Sequence, residues 1–85
     1  MNDSVLDVRG LLCPFPVIRT ESRVKDMEPG ARLRILCTDP GAVVDIPVWC
    51  RLNGHRVLET DEQPRLISIL IQVGETQASM HNNRA

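Results

Sequence analysis

The sequence predicts an α+β fold: a two-layer α/β sandwich of order βαβαββ, with a mixed four-stranded sheet and two helices on one face. Three observations carry this. Four segments read as strands, Val5 to Arg9, Ala31 to Thr38, His55 to Thr60 and Arg65 to Val73, and the first, second and fourth alternate at the period of a strand. Two longer segments lie between the first three of these, with apolar residues at helical spacing and a proline at the head of each. Turn residues (Gly10, Pro29-Gly30, Asn53-Gly54, Pro64) separate the segments.

In the first strand Leu6 and Val8 face the core, and Asp7 and Arg9 face away. The first helix is expected from Pro14 to about Met27. Val17, Ile18, Val24 and Met27 form its apolar stripe, and Arg19, Glu21, Arg23, Lys25 and Asp26 its solvated face. Glu21 and Lys25 are four apart in the favourable order, whereas Arg19 and Arg23 form a basic rim suited to an acidic partner or RNA phosphate. The second strand puts Leu33, Ile35 and Cys37 on one face, so Cys37 reads as a core residue.

Asp39-Pro40 repeats the cap-then-proline pattern, opening a second helix to Asn53. Val43, Ile46, Pro47 and Cys50 share its inward face. Pro47 lacks an N–H and clashes with the preceding turn, so a kinked first half is expected, with Asp45 able to cap the chain again. Asn53-Gly54 closes that helix, and Asp61 to Pro64 reads as the turn between the last two strands. In the final strand Ile67, Ile69, Ile71 and Val73 face inward. On the opposite sheet face, Leu36, Leu66 and Leu70 beside Arg32 and Arg34 predict a modest apolar docking patch. The reading divides the chain into a folded domain, residues 1–74, and a polar, flexible tail, residues 75–85.

Composition narrows the function. A net charge of −1 supplies no field toward nucleic acid or membrane. Trp49 and Phe15 are the sole aromatic residues, too few for a base-stacking platform. No apolar run is long enough to span a bilayer, and the first residues do not read as a signal peptide. Three cysteines without a Cys-x-x-Cys spacing suit reduced thiols in a cytoplasm better than a disulfide framework. No metal-ligand cluster, phosphate-cradling glycine loop or nucleophile–base pair is legible, so no cofactor and no metal are expected.

One stretch remains that carries chemistry: Gly10-Leu11-Leu12-Cys13-Pro14-Phe15-Pro16-Val17. Proline is favoured at the first helical position, and the residue before a proline is held extended. The pattern therefore predicts Cys13 as N-cap, its sulfur over the positive helix end. Pro14 and Pro16 remove two amides, which leaves the Phe15 and Val17 N–H groups as donors near the sulfur. A thiol so placed is expected to shift toward thiolate.

Leu6 to Val17, with its Cys-Pro-x-Pro core, resembles the signature of the TusA/SirA/YedF family of small sulfur-carrier proteins. Glu28-Pro29-Gly30, Asp39-Pro40, Asp45-Ile46-Pro47 and Cys50 continue the likeness in order. The resemblance implies the same sandwich, with Cys13 carrying a persulfide from a cysteine desulfurase or other sulfur donor protein to a downstream acceptor. In the family such relays serve tRNA 2-thiouridine formation, sulfur oxidation or cofactor assembly. Pro14, Pro16, Arg9 and Gly10 are the expected supporting residues, and Cys50 a possible second thiol. The expected partners are proteins, with no direct nucleic acid or membrane, and a monomer when free. Phe15 stands where some relatives carry a charge, which bears on partner choice. Two other readings are open: a dithiol redox protein using Cys13 and Cys50, and a non-catalytic module binding RNA or protein.

Overall fold

The computed structural model describes residues 3–74; the expected tail, residues 75–85, lies outside them. In chain order the elements are β1 (Ser4–Asp7), α1 (Phe15–Val24), β2 (Arg32–Cys37), α2 (Ala42–Leu52), β3 (Arg56–Gln63) and β4 (Leu66–Gln72). They build the predicted α+β sandwich. The sheet order is β1-β2-β4-β3. β1 and β2 are parallel, and β4 runs antiparallel to both β2 and β3, so the last strand sits inside the sheet.

The core follows from the period of β2 and β4. Leu33 is opposite Ile71, Ile35 opposite Ile69, and Cys37 opposite Ile67, and all six are buried. Onto this row α1 brings Val24, and α2 brings Ala42, Ile46 and Cys50. Cys37 is thus the core residue the alternation predicted.

The inward face of α1 differs from the expected stripe. Pro16, Thr20 and Val24 are its buried residues, at spacing i, i+4, i+8, whereas Ile18 is half exposed. Thr20 is admitted to the core because its Oγ1 donates 2.8 Å to the Pro16 carbonyl, so no hydroxyl is left unpaired. The helix also stops earlier. Asp26 and Met27 donate to carbonyls three residues back rather than four, the tightened geometry of a final turn.

Three further expectations are corrected. α2 begins at Ala42 with Gly41 as N-cap, after a Pro40-Gly41 turn, and runs unbroken through Pro47 to Leu52. β3 continues to Gln63 with a two-residue turn at Pro64-Arg65, since pairing with the apolar β4 outweighs the weak strand preference of Asp61 and Glu62. A bulge at Leu58 shifts its register.

The third correction concerns the uncovered sheet face. Arg34 and Glu59 are both register partners of Leu70, and their side chains pair at 3.3 Å. That pair spans Leu70, which is only 4% exposed. Arg34 also donates 2.7 Å to Ser68, and Arg32 binds Asp3 at 2.9 Å. The predicted apolar patch is therefore broken by polar pairs over Leu70, while Leu36 and Leu66 remain half-buried. Such exposed pairs add only about 0–1 kcal/mol each.

Burial gives Cys37 a structural part. Cys37→Ala is expected to lower stability by about 1–2 kcal/mol in urea denaturation, while native Cys37 resists alkylation until the chain unfolds.

Candidate functional site

The site forms where the parallel strands end. Ligand and reaction sites of open α/β sheets gather beyond the carboxyl ends of parallel strands, and the β1–α1 loop bearing Cys13 lies there. Val8 extends β1 by donating 2.8 Å to the Leu36 carbonyl, and the Gly10 N–H reaches Thr38 Oγ1 at 2.9 Å. Gly10 has a φ of 84°, in the left-handed region that glycine occupies without a Cβ clash. It turns the chain from strand to loop.

Cys13 is held by two aspartates from the far side of β2. Its N–H donates to Asp39 Oδ2 at 2.9 Å, and its Sγ donates to Asp45 Oδ2 at 3.0 Å. Asp39 Oδ1 also accepts from Gly41 N–H at 3.2 Å. Asp39 therefore caps its own turn with one oxygen and pins the cysteine loop with the other. Asp45, in the first turn of α2, takes the thiol instead of the helix amides. The sequence pointed to both aspartates, each close before a proline, but as helix caps. Thr38 gave no sequence signal.

The helix-dipole account of Cys13 is corrected by the same geometry. Pro14, not Cys13, is the N-cap of α1, and Phe15 is the first helical residue. The Cys13–Pro14 peptide bond is cis. The two amides expected to face the sulfur are taken: Phe15 donates to the Leu12 carbonyl at 2.9 Å and Val17 to the Pro14 carbonyl at 3.2 Å. The sulfur meets carboxylates instead. Its hydrogen bond to Asp45 pushes the thiol pKa up, with desolvation and the charges of Asp45 and Asp39 adding in the same direction. This geometry favours the thiol over the thiolate.

Arg9 does not reach the sulfur. It grips Asp7 through two bonds, Nε to Oδ1 at 2.9 Å and Nη2 to Oδ2 at 2.7 Å. The bidentate guanidinium holds the Asp7 carboxyl at about 2. Pro14 and Pro16 bracket the start of α1, Pro16 being buried against the core. All three cysteines are free; Cys13 is exposed, and Cys37 and Cys50 are buried. Cys50, 1% exposed on the inward face of α2, has its thiol pushed up to about 11 by burial. Exposed apolar side chains flank Cys13 in the chain at Leu12, Phe15 and Ile18, and Val44, just before Asp45, is exposed as well. Among the described residues no His/Cys/Asp/Glu group could hold a metal ion, and no helix is long and apolar enough to cross a membrane.

The sequence and the fold both have known counterparts. The profile of the family described as sulfurtransferase TusA matches residues 4–73. This chain belongs to the TusA family. Its similarity to YrkI of Bacillus subtilis is 37% identity over 73 residues, spanning 86% of this chain and 97% of that protein. Its similarity to the sulfur carrier protein TusA of Pseudomonas aeruginosa is 41% over 61 residues, 72% of this chain and 77% of the relative. A crystal structure of a SirA-like protein from Desulfitobacterium hafniense superposes with a TM-score of 0.73 at 25% identity, over 84% of this chain and 97% of that one. As a TusA-family sulfur carrier, the protein takes sulfur from a donor and yields it to an acceptor.

Two measurements test the site. Because the reactive form of a thiol is its thiolate and the Cys13 pKa is raised, alkylation of Cys13 should keep accelerating past the pH where an ordinary thiol has levelled off. Asp39→Ala should cost about 0.5–1.5 kcal/mol and increase hydrogen exchange at the Cys13 amide, read by NMR.

Proposed function

We propose that Cys13 carries sulfur as a persulfide. The observation that supports this most directly is exposure: of three free cysteines, Cys13 alone stands open, on a loop at the carboxyl ends of the parallel strands. In the step, the Cys13 sulfur attacks the outer sulfur of a donor cysteine persulfide. A new S–S bond forms on Cys13 Sγ, the donor's S–S bond breaks, and the donor cysteine leaves as a thiolate that takes up the proton Cys13 gives away. One sulfur atom moves and there is no net oxidation. Transfer to the acceptor repeats the exchange in the other direction, so the chain needs no cofactor.

The donor in this reading is a cysteine desulfurase or another sulfurtransferase, and the acceptor a downstream protein of the relay, whether for tRNA 2-thiouridine formation, sulfur oxidation or cofactor assembly. The apolar residues beside Cys13 favour protein partners, since open apolar side chains around a reactive group are what a transient docking surface supplies. The three free thiols suit a reducing cytoplasm. Burial of Cys50 speaks against a Cys13–Cys50 redox pair. The open sheet face, with polar pairs over Leu70 and no aromatic platform, speaks against a nucleic-acid module.

The test is intact-mass analysis after incubation with a cysteine desulfurase and cysteine. The wild-type chain should gain the mass of one sulfur atom, removable by reductant. Cys13→Ser should gain none while keeping its native circular dichroism and melting temperature. Loading of Cys13→Ser on Cys37 or Cys50 would overturn the assignment.

A further inference from the structure

We propose that Asp45 is a positioning residue that tells the empty carrier from the loaded one: its carboxylate holds the Cys13 thiol while the sulfur is bare, and repels the persulfide anion once sulfur is bound. The inference builds on Cys13 being the sulfur-bearing residue.

The argument starts from the bond itself. Cys13 Sγ donates to Asp45 Oδ2 at 3.0 Å, and a sulfur can donate only while it bears a proton. In a persulfide, Sγ is bonded to Cβ and to the outer sulfur and has no proton left. The hydrogen bond that Asp45 makes to the empty carrier is therefore lost at the moment of loading.

What replaces it is repulsion. The outer sulfur lies about 2 Å beyond Sγ, and a persulfide is a stronger acid than its parent thiol, so the loaded group is the more readily ionised. The groups facing it are the Asp45 carboxylate from α2 and the Asp39 carboxylate from the β2–α2 loop. Among the described residues neither carboxylate has an ion-pair partner, and Arg9 is tied to Asp7. The helix amides that stabilise anions elsewhere are spent on the Leu12 and Pro14 carbonyls. An ionised persulfide thus gains nothing by staying against α2 and is driven toward the open side. There, Leu12 and Phe15 stand exposed. Asp45 keeps the bare thiol quiet and makes the loaded sulfur easy to give up.

The test uses the full chain loaded chemically, so it does not depend on any protein donor or acceptor. Cys13 is charged with sodium tetrasulfide: its thiolate takes one sulfur from the polysulfide dianion, giving the Cys13 persulfide anion and the chain-shortened polysulfide. In the unloaded protein, Asp45→Asn should move the pH midpoint of Cys13 alkylation downward. In the loaded protein, sulfur passes to excess small thiol as Cys13–S–S⁻ and R–SH give Cys13–SH and R–S–S⁻, and Asp45→Asn should shift that equilibrium about fourfold toward the loaded carrier, one like-charge repulsion across ~5 Å in a near-aqueous dielectric. Asp26→Asn makes the same charge change in the turn after α1 and should leave both readouts unchanged. An unmoved or raised alkylation midpoint, an unaltered transfer equilibrium, or equal effects from Asp26→Asn would each overturn the proposal. Infrared spectroscopy gives a second test without altering Asp45. The wild-type S–H stretch assigned to Cys13 by difference against Cys13→Ser should lie at hydrogen-bonded frequency and vanish on loading; a free-thiol frequency refutes the bond. Failure of the desulfurase mass assay with these results intact would instead reject the relay reading.

Discussion

Two carboxylates on one side of a loop organise this molecule's chemistry. Asp39 takes the Cys13 N–H and Asp45 takes its thiol, and each bond joins the β1–α1 loop to the start of α2. These bonds exist because β1 and β2 lie side by side and parallel, which brings the loops leaving both strands to the same edge. Had β1 paired elsewhere, the cysteine would sit on an unsupported loop. The sheet order therefore sets the site before any functional residue is considered.

The local chemistry is the reverse of a thiol activated by a helix end. An N-terminal amide cluster favours negative charge; here those amides are occupied within the backbone, and the neighbours of the sulfur are acidic. A neutral, hydrogen-bonded thiol suits a carrier in one respect. It resists adventitious oxidation and alkylation, which proceed through the thiolate, until a partner supplies the conditions for exchange. Reactivity then belongs to the encounter rather than to the free chain.

The two sheet faces divide the remaining work. One is sealed by α1 and α2 over a row of Leu, Ile, Val and Cys. On the other, arginines lie across the strands, with the Arg34–Glu59 pair covering Leu70 while Val5 stays half exposed. Other exposed apolar residues flank Cys13 in the chain at Leu12 and Phe15, and stand on α2 at Val44, Val48 and Leu52.

The strands, the helices and the burial of Cys37 were legible in the sequence because they rest on periodicity, which is local: two residues for Leu33, Ile35 and Cys37, and 3.6 for Ile46 and Cys50. The Cys-Pro-x-Pro stretch also drew attention to Cys13, the exposed cysteine of the three. Helix boundaries were less legible: Asp39 caps the Pro40-Gly41 turn ahead of α2 rather than the helix itself, and the Cys13 side chain caps no helix amide. The charged run Asp61 to Gln63 read as a turn because its strand character comes from β4, not from its own residues. What decides the state of the thiol lies further off. Asp45 is thirty-two residues from Cys13, and nothing local couples them. Only the insertion of β4 beside β2, the parallel pairing of β1, and the packing of α2 over both bring that carboxylate to the sulfur. The sequence by itself singled out Cys13, and the tertiary structure decided that its sulfur meets a carboxylate rather than helix amides, because hydrogen-bond partners are set by neighbours in space.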